Sequence, residues 1–178
     1  MDPEKELQRI CDQYNGKLTI KDFKVGGAKM GESIYVVKYY LKIPYQDCMI
    51  DILYDFGNSV TADFKIGFND LKNVPKFELT TISHFTKLVL FKKHNFKVQC
   101  KDIYLKREIE KLLQRHTLDK LIKNTAFEPT TEGVNSEKTY TIHTVFSLVF
   151  EENTSSISAI FEFHKELINI IRERYKRF

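Results

Sequence analysis

The sequence predicts an α+β domain, and three observations carry that prediction. Apolar residues recur at helical spacing at both ends of the chain, runs of alternating apolar and polar residues lie between them, and short turn-forming pairs separate the runs. The opening helix is residues 3–14. Asp2 stands as its cap, Pro3 fits the first helical position, and Leu7, Ile10, Cys11 and Tyr14 share one face. Asn15-Gly16 ends it. From there the period drops to two. Residues 17–25, 33–43, 46–56 and 59–68 read as four strands, with Pro44-Tyr45 and Gly57-Asn58 as hairpin separators and a glycine-rich loop, Gly26 to Gly31, joining the first two. An antiparallel meander of about four strands with an N-terminal helix is therefore expected.

The middle is a mixed α/β segment. Residues 76–80 form a short strand after Pro75, Ser83 opens a helix over 83–92, and residues 95–100 return to strand spacing. Asp102 caps a helix over 102–116 with Leu105, Ile109, Leu112 and Leu113 on one face, followed by a short helix over 118–123. Glu128-Pro129, Gly133 and Asn135 mark turns before a long late strand over 139–150. An amphipathic C-terminal helix begins near Thr154 or Ser155 and aligns Ile157, Ile160, Phe161, His164, Leu167, Ile168 and Ile171. The expected organisation is one domain over 1–178, with a subdomain boundary near 70–76.

Composition narrows the class. Of 178 residues, 42% are hydrophobic and 13% aromatic, with four prolines, which does not fit a disordered chain. No apolar run approaches the roughly 20 residues that cross a bilayer, and the first ten residues lack the apolar centre of a signal peptide. Cys11, Cys48 and Cys100 form no CxxC pair and sit among apolar neighbours, so they read as buried free thiols rather than a disulfide framework or zinc site. A soluble cytoplasmic protein without a membrane partner is expected.

Charge is uneven. The formal net charge is +4, but residues 61–128 carry +6 and each flank −1. The basic residues concentrate over 87–123, and Lys92, Lys93, Lys97, Lys101, Lys106, Arg107, Lys111 and Arg115 are the predicted binding surface. Such a cluster attracts an acidic protein or a phosphate backbone. Glu108 and Glu110 give part of it ordinary surface pairs, and a pI near 8.8 is below that of strongly basic nucleic-acid domains. Arg172, Arg174, Lys176 and Arg177 make a second basic cluster.

Motifs for chemistry are sparse. Gly26 and Gly31 have phosphate-loop spacing, but Glu32 stands where the lysine belongs and a strand follows. Asp51, Asp55 and the triplet Asp63-Phe64-Lys65 on neighbouring strands are the catalytic candidates. Two carboxylates could hold Mg²⁺ while Lys65 polarised the attacking water of a nuclease. The same triplet spacing at Asp22-Phe23-Lys24 shows that it also arises as cross-strand surface charge. His84, His94, His116, His143 and His164 form no local ligand pair, and no cofactor motif is present. The expectation is a non-catalytic protein-binding module, in type a small cytoplasmic immunity or anti-defence protein that neutralises a partner. The alternative is a nucleic-acid-binding protein or Mg²⁺-dependent nuclease. A weak homodimer through the C-terminal helix completes the expectations, because its apolar stripe continues to Tyr175 and Phe178.

Overall fold

Helix α1 (Pro3–Gln13) forms where capping chemistry favours it, with the Asp2 carboxylate accepting from the Glu4 amide at 3.1 Å. The computed structural model describes residues 2–26, 33–57, 59–71, 73–82, 95–136 and 139–175. After α1 come β1 (Lys17–Gly26), β2 (Ser33–Tyr45), β3 (Cys48–Asp55), β4 (Thr61–Phe68), β5 (Phe77–Thr81) and β6 (Phe96–Cys100). Then follow α2 (Ile103–Arg115), α3 (Leu118–Asn124), β7 (Thr130–Asn135), β8 (Tyr140–Ser147) and α4 (Ile157–Tyr175). The α+β class holds. The loop at 27–32 and the helix expected over 83–92 lie outside the described residues.

The expected meander of about four strands is half of a larger object. The eight strands among the described residues join one antiparallel sheet in the order β1-β2-β3-β4-β8-β7-β5-β6. Strand β8 returns from far along the chain to pair with β4, Ile66 opposite Ile142, and so joins the two halves. Strand β7 occupies a stretch expected as turn. Its sequence, TTEGVN, has little apolar character, but Thr131 is buried and its hydroxyl lies 2.9 Å from that of Thr144. The segment between β4 and β5 buries Leu71 and Val74 in the same core as the strands on either side. Strand β2 runs through Pro44, because β1 ends its pairing at Lys17 opposite Lys42 and leaves that side of β2 without a ladder.

Alternation gives the sheet one dry face. Leu41, Ile50, Phe64, Ile66, Phe68, Tyr140, Ile142, Phe146, Phe77 and Leu79 point to it and are buried. Helix α1 packs on β1 and β2, α2 packs on β6, and α4 packs on both helices, all over this face. On the other face the register aligns a row of polar side chains across the sheet, Lys42, Asp51, Lys65, His143, Glu132, Glu78 and Gln99. The apolar stripe of α4 is spent inside this core, where Ile168 and Ile171 are fully buried, so the stripe is not a free dimer surface. Phe178 lies outside the described residues.

Two polar anchors fix α4. His164, expected as a partly buried satisfied histidine, is fully enclosed and stacks on Phe64 at 4.5 Å. Its Nδ1–H donates to the Ile160 carbonyl at 2.7 Å, and its Nε2 lies 2.7 Å from the Thr144 hydroxyl. Further along, Arg172 is 4% exposed and grips Asp47 through both terminal nitrogens at 2.6 and 2.7 Å. It also reaches Asp70 at 3.2 Å and covers the Phe68 ring. Asn169 accepts from Tyr45 and Gln46 at 3.0 and 2.8 Å. These contacts seize the β2–β3 turn, where Gln46 holds a left-handed φ of 54° that a side-chain-bearing residue adopts at a cost. Arg172 is therefore an internal strut and not part of a surface basic cluster.

Two stability outcomes follow from this packing. A methyl group at Gly133 would overlap the Tyr140 hydroxyl and the Phe77 ring. Gly133→Ala is expected to lower stability to urea by about 2–3 kcal/mol. For His164, burial depresses the imidazole pKa from 6.5 to about 4. Between those values the unfolded chain takes up a proton that the folded chain refuses. The contribution is thus fully present above pH 6.5 and lost as pH falls toward 4, about 3 kcal/mol in all. Urea titrations across that window should show His164→Leu losing stability with acid less steeply than the parent. Parallel slopes would contradict the assignment.

Candidate functional site

Strand pairing, not sequence proximity, assembles the basic cluster. In β5 and β6, Phe77 faces Cys100, Glu78 faces Gln99 and Thr80 faces Lys97. Continuing that register one step brings Lys76 opposite Lys101. Lys76, Lys97 and Lys101 therefore share the helix-free face at one corner of the sheet. The Asp102 carboxylate accepts from the Tyr104 and Leu105 amides at 2.8 and 3.1 Å and turns the chain straight into α2. Lys106, on the first turns of that helix, then reaches the same corner.

The result is a groove of about 700 Å³ between the start of β5, the end of β6 and α2, lined by Lys76, Lys97, Lys101 and Lys106. Glu78 is its one acidic lining residue. Among the described residues none of the four lysines has a carboxylate within ion-pairing distance. Four cations facing one concavity raise the local potential and favour an anionic ligand.

The other residues of the predicted surface have different fates. Lys111 pairs with Glu108 at 2.6 Å along its own helix. Arg115 pairs with Glu166 of α4, and the His116 Nε2 lies 3.1 Å from the same carboxylate. These contacts tie α2 to α4. Arg107 is exposed outside the groove lining. Lys92 and Lys93 lie outside the described residues. Arg174 stacks over Tyr104 at 4.3 Å and reaches Asp102 at 3.4 Å. The Asp102 carboxyl is held below its usual range, chiefly by the Tyr175 hydroxyl that donates to it. Lys76 was missed by charge counting because it stands 11 positions before the window that begins at Lys87. Recognising 76–80 and 95–100 as one hairpin is the signal that finds it.

The acidic candidates divide. Asp51 faces Lys65 across β3 and β4 and lies 4.0 Å from Lys42. Asp63 lies 3.7 Å from Lys65 and 3.0 Å from the Nε2 of His143, its diagonal neighbour on β8. A small concavity of about 190 Å³ opens between Tyr40, Lys42, Asp51, Leu53, Asp63 and Lys65. Asp55 does not join this group. It is 2% exposed and accepts from the Gly57 amide at 3.0 Å, the Ser59 hydroxyl at 2.8 Å and the Lys38 ammonium at 2.8 Å. Its partners close the β3–β4 connection. Among the described residues no three His, Cys, Asp or Glu side chains converge in a way that could hold a metal ion. Cys11 and Cys48 are buried free thiols and Cys100 is half-buried, with burial pushing all three above their ordinary range.

Comparison with protein-family models, curated proteins and solved structures finds no match to this chain.

The split among the carboxylates has a direct stability consequence. Asp55→Ala strands the Lys38 ammonium and two donors at a buried turn, and is expected to cost about 3 kcal/mol in urea unfolding. Asp51→Ala and Asp63→Ala remove exposed pairs and should each change stability by less than about 1 kcal/mol. Equal losses at all three positions would contradict the division.

Proposed function

We propose that this protein is a non-catalytic binding module that engages an acidic partner protein through the groove formed by Lys76, Lys97, Lys101 and Lys106. The carrying observation is four lysines around one concavity that, among the described residues, make no ion pair. Elsewhere the described chain does pair its buried and half-buried cations: Lys38, Lys165 and Arg172 all meet carboxylates. Unlike the other unpaired surface lysines, these four converge on one concavity and can meet charge supplied from outside together.

The form of the charge favours protein over nucleic acid. A phosphate backbone is tracked by an extended line of cations with bases stacked on exposed aromatics. Here the free lysines form a compact patch containing Glu78, with Glu132 opposite it on β7, and the nearby exposed Tyr104 is covered by Arg174. A mixed patch of this kind suits an acidic protein surface with a few basic groups of its own. A stoichiometric neutraliser of such a partner, working in the reducing cytoplasm where three free thiols persist, is the specific role we infer.

The test is fluorescence anisotropy with a labelled polyglutamate peptide and a labelled single-stranded oligonucleotide of equal charge. The peptide is expected to bind with salt-sensitive affinity, and Lys97→Glu/Lys101→Glu/Lys106→Glu to weaken it at least about tenfold without changing the circular dichroism spectrum. Peptide binding unaffected by the triple reversal would sink the proposal. Markedly tighter oligonucleotide binding, lost in the same variant, would reassign the groove to nucleic acid.

A further inference from the structure

Strand β1 is an outer edge of the sheet, and its far half is poorly supported. Residues 22–26 of β1 pair with residues 33–37 of β2, while on the other side of β2 the ladder begins at Lys38 opposite Asp55, the Phe56 amide reaches the Val37 carbonyl at 2.9 Å, and the last supported residue is the buried Val36. The arm beyond that point is a two-stranded ribbon, an arrangement that is marginal by itself in water. The edge also presents large side chains: Phe23 is 42% exposed, Tyr35 is 55% exposed with its hydroxyl donating to Asp22 at 2.7 Å, and Ile20, nearer the supported half, is 42% exposed. Exposed edges with large apolar side chains invite another strand.

The sequence of β1 selects what that strand is. When two copies of one antiparallel edge meet about a two-fold axis perpendicular to the sheet, the axis passes beside one residue, which faces its own copy. Centring on Lys21, Asp22 or Lys24 sets like charges directly opposite, which is unfavourable. Centring on Ile20 sets Asp22 against Leu18 and Phe23 against Lys17, with no compensating charge pair. Centring on Phe23 gives a different set. Phe23 meets Phe23 of the second copy, Asp22 meets Lys24 on both sides of it, and Lys21 meets Val25. Aromatic and opposite-charge pairs are the favourable cross-strand contacts of an antiparallel ladder. The face parity agrees as well, because Asp22 and Lys24 project to one side of the sheet and Phe23 to the other.

We propose that a second copy of this chain pairs with β1 in the register centred on Phe23, extending the sheet across a two-fold axis. Each ribbon then becomes part of a four-stranded section, β2-β1-β1-β2, with the two phenylalanines stacked at its centre. The interface lies at the opposite edge of the sheet from the lysine groove, so both surfaces are usable together.

Sedimentation velocity on the full chain over a concentration series tests this. The parent is expected to approach twice the 21.0 kDa chain mass by about 100 µM. Asp22→Lys and Lys24→Asp each place like charges opposite one another twice, and each should raise the dimer dissociation constant at least about tenfold. The combined variant Asp22→Lys/Lys24→Asp recreates both pairs with the signs exchanged, and should return the dissociation constant toward the parent value. Circular dichroism of each variant checks that the fold is retained at this exposed edge. A parent that stays monomeric through the series overturns the proposal. So does a dimer indifferent to both single reversals, or a combined variant no better than the singles.

Discussion

The eight strands of the described residues must deliver their apolar side chains to a single face, and the helices must close it. The alternation is strict from Leu41 through Phe64 and Ile142 to Leu79, so a slip of one residue in any ladder would expose its whole apolar set. Helix α4 does most of the closing. Its stripe covers the sheet near the β4–β8 junction, where His164 stacks on Phe64 and meets Thr144. Its last turns hold the β2–β3 turn and the segment after β4 through Arg172. A purely apolar helix could slide along the strands; directional bonds at two points along α4 set its position.

A sheet closed on one side leaves the other side for charge. Across the helix-free face, lysines, acids and His143 alternate so that opposite signs mostly meet. The exception is the β5–β6 corner, where Glu78 is the one acidic residue lining the groove and, among the described residues, Lys76, Lys97, Lys101 and Lys106 pair with no carboxylate. That imbalance arises from topology. Strands β5 and β6 are short and terminal in the sheet order, and the capped turn at Asp102 folds a basic helix back beside them. The long β1 edge at the other end has the opposite character, with apolar residues interleaved among self-complementary charges.

The locally determined parts of this fold were legible in the sequence. Helix α1, the capped helix α2 and the first four strands are set by residues adjacent in the chain: Asp2, Pro3, Asp102 and the two-residue apolar period. What the sequence concealed is non-local. Strand β7 carries too few apolar residues to read as a strand, because its inward positions are Thr131 and Gly133, chosen to fit a hydroxyl pair and two large rings. The union of the two halves through β4 and β8 has no local signature at all. The groove divides the same way: Lys97, Lys101 and Lys106 belong to the basic run visible in the sequence, whereas only the β5–β6 register brings Lys76 beside them. Lys111 and Arg115 of the same run serve intramolecular pairs, and the turn contacts of Asp55 separate it from Asp51 and Asp63.

The proposed function rests on unneutralised lysines at one corner recognising external acidic charge. The most direct measurement is a heteronuclear NMR titration of the labelled full chain with polyglutamate. Saturable shifts are expected, confined to the neighbourhood of Lys76, Lys97, Gln99, Lys101 and Lys106, with Lys111 and Arg115 unmoved. Shifts spread evenly over all exposed lysines, or centred on Lys120 and Lys123 of α3, would contradict it.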